Sequence, residues 1–237
     1  MSDIWTMIWK ETKDSVLQGG WSALIRPLLL IGILGILLPW RLGLQWLALT
    51  PVVMGLILYI PFIVILSFVG DAIAGERERH TLETLLASRI SDRAILLGKV
   101  IVTVGYAWGT ALIGLLLGLI VANLSKGQGS WEFYTQFDLL LEALALSLLA
   151  SLLGVSGGVL ISLRSATVRQ AQQILIVCTL VLVVGGVLAL RAVPAQTISS
   201  LSSSQIWLIA MAVLAVLDAI LLGVSLVSFR RSRLILS

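Results

Sequence analysis

The chain has 237 residues, of which 59% are hydrophobic and 12% charged, and its formal net charge is +4. Soluble domains carry about 25% charged residues, so a chain this apolar lacks the polar surface to coat a globule in water. Its basic residues are too few and too scattered for a nucleic-acid surface, and its length sets a number of membrane spans rather than of soluble domains.

The first stretch, Met1–Gly20, mixes Lys10 and Lys13 with Asp3, Glu11 and Asp14. It lacks the short apolar core and small-residue cleavage site of a signal peptide, so the first span is expected to serve as an uncleaved insertion signal. Ile4, Trp5, Ile8 and Trp9 recur at helical spacing. That pattern predicts an interfacial helix within 1–20, its tryptophans in the inner headgroup layer and Gly19-Gly20 as the bend into the bilayer.

Six apolar runs follow, at 24–40, 46–73, 94–122, 139–163, 174–190 and 206–229. A transmembrane helix needs roughly 20 apolar residues, and the alternating polarity of membrane β-strands is missing. The expected fold is all-α: one polytopic domain over 1–237 with six transmembrane helices.

Orientation follows from the cations. With the N-terminus inside, thirteen of the sixteen Lys and Arg residues face the cytoplasm, and only Arg41, Lys126 and Arg191 lie outside. This agrees with the positive-inside rule and puts both termini in the cytoplasm. Trp40, Trp46, Trp131 and Trp207 are expected near the outer boundary, as interfacial anchors.

Within the spans, Gly105-x-x-x-Gly109, Gly114-x-x-x-Gly118 and Gly154-x-x-x-Gly158 read as close-packing surfaces. Pro51 and Pro61 are expected to bend the second span. Asp218 lies near the middle of the sixth span, where an ionised carboxylate is costly. Two roles stand open for it: a polar point on a transport pathway, or a hydrogen-bonded lock between helices. A single cysteine, Cys178, allows no intrachain disulfide.

Catalysis finds little support. His80 is the only histidine, and His80-x-x-Glu83 lacks the further ligands of a zinc site. No G-x-x-x-x-G-K-[ST] phosphate loop is present: Gly98-Lys99 is followed by Val100, and Arg93 stands where the upstream glycine is required.

The most informative stretch is DAIAGERERHTLETLLASRISDRAILLGK, Asp71 to Lys99. Leu82, Leu85 and Leu86 fall on one face of a short amphipathic helix in the loop 75–93. Ser91 and Asp92 offer caps to the next helix. By itself, such a stretch is equally a solvated loop that sets topology.

The pattern D-x-x-A-G-E-R-E-x-x-T-L-E-x-L-L, then S-x-R-x-I-L-L-G-K, resembles the cytoplasmic loop of ABC transporter permeases of the type-2 exporter class. Asp71, Ala74, Gly75, Glu76, Arg77, Glu78, Thr81, Leu82, Glu83, Leu85 and Leu86 match the first half. Ser91, Arg93, Ile95, Leu96, Leu97, Gly98 and Lys99 match the second. His80 departs from a common glycine, and Arg89 from a common proline or small residue.

The resemblance implies a coupling loop, with Glu76, Arg77, His80, Thr81, Leu82, Glu83, Leu85 and Leu86 meeting a separate cytoplasmic ATP-binding subunit. It implies ATP and Mg on that partner, no cofactor on this chain, a second permease half, and a place in the cell membrane. The compact size is also similar to permeases of haem export or copper-site assembly. The competing class is an ATP-independent secondary transporter or membrane scaffold. A secondary transporter is expected to show broken helices and mid-membrane ion sites.

Overall fold

A computed structural model of the chain describes residues 2–13, 25, 28–70, 74–78, 91–126, 131–192 and 203–229. Among these, all regular structure is helical. In chain order the helices are α1 Ser2–Lys13, α2 Leu28–Leu42, α3 Leu44–Leu47, α4 Pro51–Gly70 and the single turn α5 Glu76–Glu78. Then come α6 Asp92–Lys126, α7 Phe137–Arg164, α8 Val168–Ala192 and α9 Ser203–Ser228. The stretches Asp92–Ser125, Phe137–Arg164, Val168–Gly186 and Gln205–Ser228 are long and apolar enough to cross a membrane. Two further apolar stretches, Leu28–Leu42 and Val52–Ile65, are shorter.

The chain divides into two compact units. The first comprises residues 1–65 and 94–152. Its core gathers Leu34, Trp46, Leu47, Leu49, Val53, Ile57, Ile60, Leu115, Ala122, Leu140 and Ala143. Glycines set the close approach of α2 to α6. A Cβ added at Gly35 would lie 2.8 Å from Leu117 Cβ and 3.2 Å from the Gly114 carbonyl oxygen. With lipid as solvent, such packing stabilises through dispersion rather than through release of water.

Helix α2 takes a π-helical course over Ile33–Leu37, where the Leu38 N–H bonds to the Ile33 carbonyl. Pro39 follows and has no N–H to give. Shifting the hydrogen-bond register ahead of it lets the helix continue through the proline.

The turn after α2 corrects two expectations. Gly43 has φ 54, and Leu49 has φ 48. Gly43 precedes the apolar run expected to begin a span at 46, Leu49 breaks it, and α4 starts instead at Pro51. Trp46 sits on α3 and is 1% exposed, so it belongs to the core and not to an interfacial belt. Trp40 and Trp131 remain exposed. Pro51 begins its helix, where a missing N–H costs nothing, so of the two prolines only Pro61 lies inside α4.

The end of this unit is pinned by polar contacts. Thr135 N–H donates to the Leu47 carbonyl at 3.2 Å, and the Asn123 side chain exchanges two hydrogen bonds with the Glu132 backbone, at 2.8 and 2.9 Å. The Tyr134 hydroxyl donates to the Leu115 carbonyl at 2.9 Å.

Helix α1 forms over Ser2–Lys13 within the expected interfacial segment, with Trp5 70% and Trp9 68% exposed. Gly19 and Gly20 lie outside the described residues. Met7 is fully buried against Gly98, where an added Cβ would meet Met7 Cγ at 2.6 Å.

The expected glycine pairs divide. Gly114 and Gly118 pack: an added Cβ would lie 3.3 Å from Leu34 Cβ and 2.5 Å from Trp46 Nε1, respectively. Gly154 and Gly158 are buried. Gly105 and Gly109, expected to pack, have nothing within 4 Å of an added Cβ. They line an open groove of about 330 Å³ with Leu28, Ile31, Tyr106, Thr110 and Ile113.

The second unit comprises residues 66–93 and 153–237. It brings the start of the 71–93 loop to α7 and α8.

Candidate functional site

Ala74 and Gly75 form a π-helical turn that runs into α5. Both are buried, and so is Glu76. The Ala74 N–H donates to Ser162 Oγ on α7 at 3.0 Å, with both residues fully buried. Two turns of α7 away, Ser225 of α9 donates to the Ser156 carbonyl at 3.3 Å and to its own Leu221 carbonyl at 2.8 Å.

The second contact of the loop is at the start of α8. The first four N–H groups of a helix have no partner inside it. Thr167 Oγ1 accepts from the Gln170 N–H at 3.2 Å, and Gln170 Oε1 accepts from the Ala166 N–H at 3.1 Å. This is a variant of the capping box, and T-x-x-Q announces it in the sequence. The Val168 N–H, first in the helix, donates to Glu78 Oε1 at 2.9 Å. An anionic side chain is well placed there, since the helix dipole presents partial positive charge at its N-terminus.

This cap also corrects the fifth expected span. The polar break at 164–173 contracts to 165–167, and α8 begins at Val168. The polar residues Arg169, Gln170, Gln172 and Gln173 therefore lie inside its first turns, where sequence reading leaves them as loop.

Of the residues expected to meet a partner, the described part of the loop holds Glu76 and the backbone of Arg77. His80, Thr81, Leu82, Glu83, Leu85 and Leu86 lie outside the described residues, and so does the short helix expected there. The second half of the motif has another use. Gly98 accommodates Met7, and Lys99 Nζ donates to Glu11 Oε1 at 2.9 Å, so the Gly-Lys pair docks α1.

Asp218 lies on α9 and is 2% exposed. Neither carboxyl oxygen has a hydrogen-bond partner among the described residues. Among the described residues, the hydrogen bonds that a lock between helices needs are not formed. Among the described residues, no three His, Cys, Asp or Glu side chains converge as metal ligands.

The chemistry on offer is mechanical: a loop bonded at two points to the ends of long apolar helices. Comparison with protein families gives a match to the ABC-2 family transporter protein over residues 47–229. The chain belongs to the ABC-2 transporter family. Comparison with curated proteins gives no match. The matched stretch of this ABC-2 permease takes in α4 to α9 and the whole 71–99 motif. Helices α1 and α2 precede it. The chain is thus a multi-pass membrane protein and a transport component of an ABC transporter.

Proposed function

We propose that this chain is the six-span permease half of an ATP-driven exporter in the cell membrane, with both termini cytoplasmic. The two shorter helices, α2 and α4, complete the six spans. Energy comes from a separate cytoplasmic subunit that binds ATP and Mg, and a second permease half, a copy of this chain or a relative, completes the pathway. The loop 75–93 is the coupling element. Leu82, Leu85 and Leu86 form its apolar face and Arg77 and Glu83 its polar rim, with His80 and Thr81 beside them, while Glu76 is buried at its start.

The observation that carries this reading is the family match across the loop and the helices that flank it. The contacts of Ala74 and Glu78 support it, because they tie that loop to the transmembrane helices α7 and α8.

Pull-down with the ATP-binding subunit tests it. Interface energy concentrates in a few central apolar anchors. Leu85→Asp or Leu86→Asp would bury an unpartnered carboxylate, at a cost of a few kcal/mol, or about a hundredfold in affinity. The expected result is a well-inserted protein that no longer retains the ATPase. Retention by both variants would remove the coupling assignment, and an unmodified chain that retains no ATPase would favour the ATP-independent alternative.

A further inference from the structure

The two contacts of the loop differ in kind. At its base, the Ala74 N–H and Ser162 Oγ are both buried, so this bond is shielded from water and fixes the segment to α7. Three residues beyond Gly75, Glu78 is exposed, and its carboxylate reaches a residue 90 positions away in sequence. The local capping residues leave that donor to it. Thr167 takes the N–H of Gln170, and the Gln170 side chain turns back to Ala166. The Val168 N–H is thus held from outside its own helix.

We propose that Glu78 is the positioning residue that links the coupling loop to α8, passing a displacement of the loop into that helix through its hydrogen bond to the Val168 N–H. The inference rests on the reading of this loop as the ATPase-driven element. Ala74 is the pivot and Glu78 the grip. Water can replace either partner of an exposed hydrogen bond, so the Glu78 contact can be broken and remade at less cost than the buried bond at Ala74. Glu78 does not bind the partner; it determines which transmembrane helix follows the loop.

The chain supplies its own reporter. Cys178 is the only cysteine, is exposed, and lies on α8. An environment-sensitive maleimide on Cys178, in the full complex with a cysteine-free ATP-binding subunit, reads the response of α8 to ATP and Mg. Glu78→Ala removes the acceptor. Val168→Pro removes the donor and keeps the helix, because proline is favoured at the first helical position. Glu78→Gln keeps an acceptor without the charge.

In the unmodified complex, nucleotide should shift the fluorescence. Glu78→Ala and Val168→Pro should each shrink that shift by about fivefold, the weight of one hydrogen bond in an equilibrium. The double variant should do no worse than either, since both remove the same contact. Glu78→Gln should retain most of the shift, and every variant should retain the ATPase in a pull-down. Three results overturn the proposal: a full shift in Glu78→Ala, loss of the ATPase in that variant, or no shift in an unmodified complex that holds its ATPase. If the unmodified chain retains no ATPase, the coupling reading fails first, and the two failures are distinguishable.

Discussion

Lys99 Nζ lies 2.9 Å from Glu11 Oε1, joining α1 to α6 across 88 positions of sequence. The lysine side chain is 5% exposed and the glutamate 16%, so the pair is largely withdrawn from water. Removing one member of a buried pair costs about 3–5 kcal/mol where it strands the other, and less here because Glu11 keeps the more exposed Lys10 at 3.7 Å. Lys99→Met is therefore expected to release α1, seen as faster proteolysis within residues 1–13. Glu11→Met added to it should restore much of the loss. A chain as resistant with Lys99→Met as without would show that Met7 and Gly98 alone hold the helix.

The glycine positions of α6 make a paired prediction. Gly118→Ala would drive a methyl into the Trp46 indole and within 3.1 Å of Pro39 Cγ. Overpacking of this kind costs about 1–3 kcal/mol. Gly109→Ala meets open space and should gain up to about 1 kcal/mol of helix propensity. Thermal unfolding in detergent measures both. Destabilisation by Gly109→Ala would mean that another helix occupies the groove.

Tyr134 gives a pH dependence. Burial pushes its phenol up to about 12, with the neighbouring Trp46 indole pulling the other way. The Trp46 N–H forms no hydrogen bond to the neutral phenol, so burial dominates. The folded state favours the neutral hydroxyl that bonds to Leu115, and the unfolded chain ionises near the ordinary value of 10.0. Stability from this group is present below that value and is lost as pH rises toward about 12. Phenolate absorbance against pH should show a late-titrating component that Tyr134→Phe reduces. A titration that ends near the ordinary value in the folded protein would contradict the burial.

Asp218 separates stability from transport. Its two oxygens are buried without partners among the described residues, so Asp218→Leu should hold or raise the unfolding temperature. A fall of several degrees would reveal a stabilising contact made in the assembled protein. Asp218→Asn should leave both fold and transport intact. If transport is lost in the asparagine variant while expression and unfolding are unchanged, the carboxylate lies on the pathway.

Topology can be checked with single cysteines after Cys178→Ser. Ala166→Cys, in the exposed turn between α7 and α8, should react with impermeant maleimide only from the cytoplasmic side. Phe133→Cys, exposed between α6 and α7, should react only from outside. Labelling of both from one face would contradict the membrane crossing of α7.

Local patterns determined the helical, membrane-spanning character of the chain, because an apolar run long enough for the bilayer has few other soluble or stranded solutions. The same kind of signal marks the Asp71–Lys99 motif as that of a transporter family, whereas Pro51, expected to bend a span, instead begins its helix. Tertiary structure alone decided that Trp46 is core, since the left-handed turn at Leu49 separates it from the rest of the apolar run that begins at 46. It decided which glycine pair is packed, because Gly105-x-x-x-Gly109 and Gly114-x-x-x-Gly118 are alike in sequence and differ only in having a neighbour. It also made the pairs Glu11–Lys99 and Glu78–Val168, whose members lie 88 and 90 residues apart. Periodicity reports the face of one helix. Which charge on that face meets which donor depends on how separate helices are set beside each other.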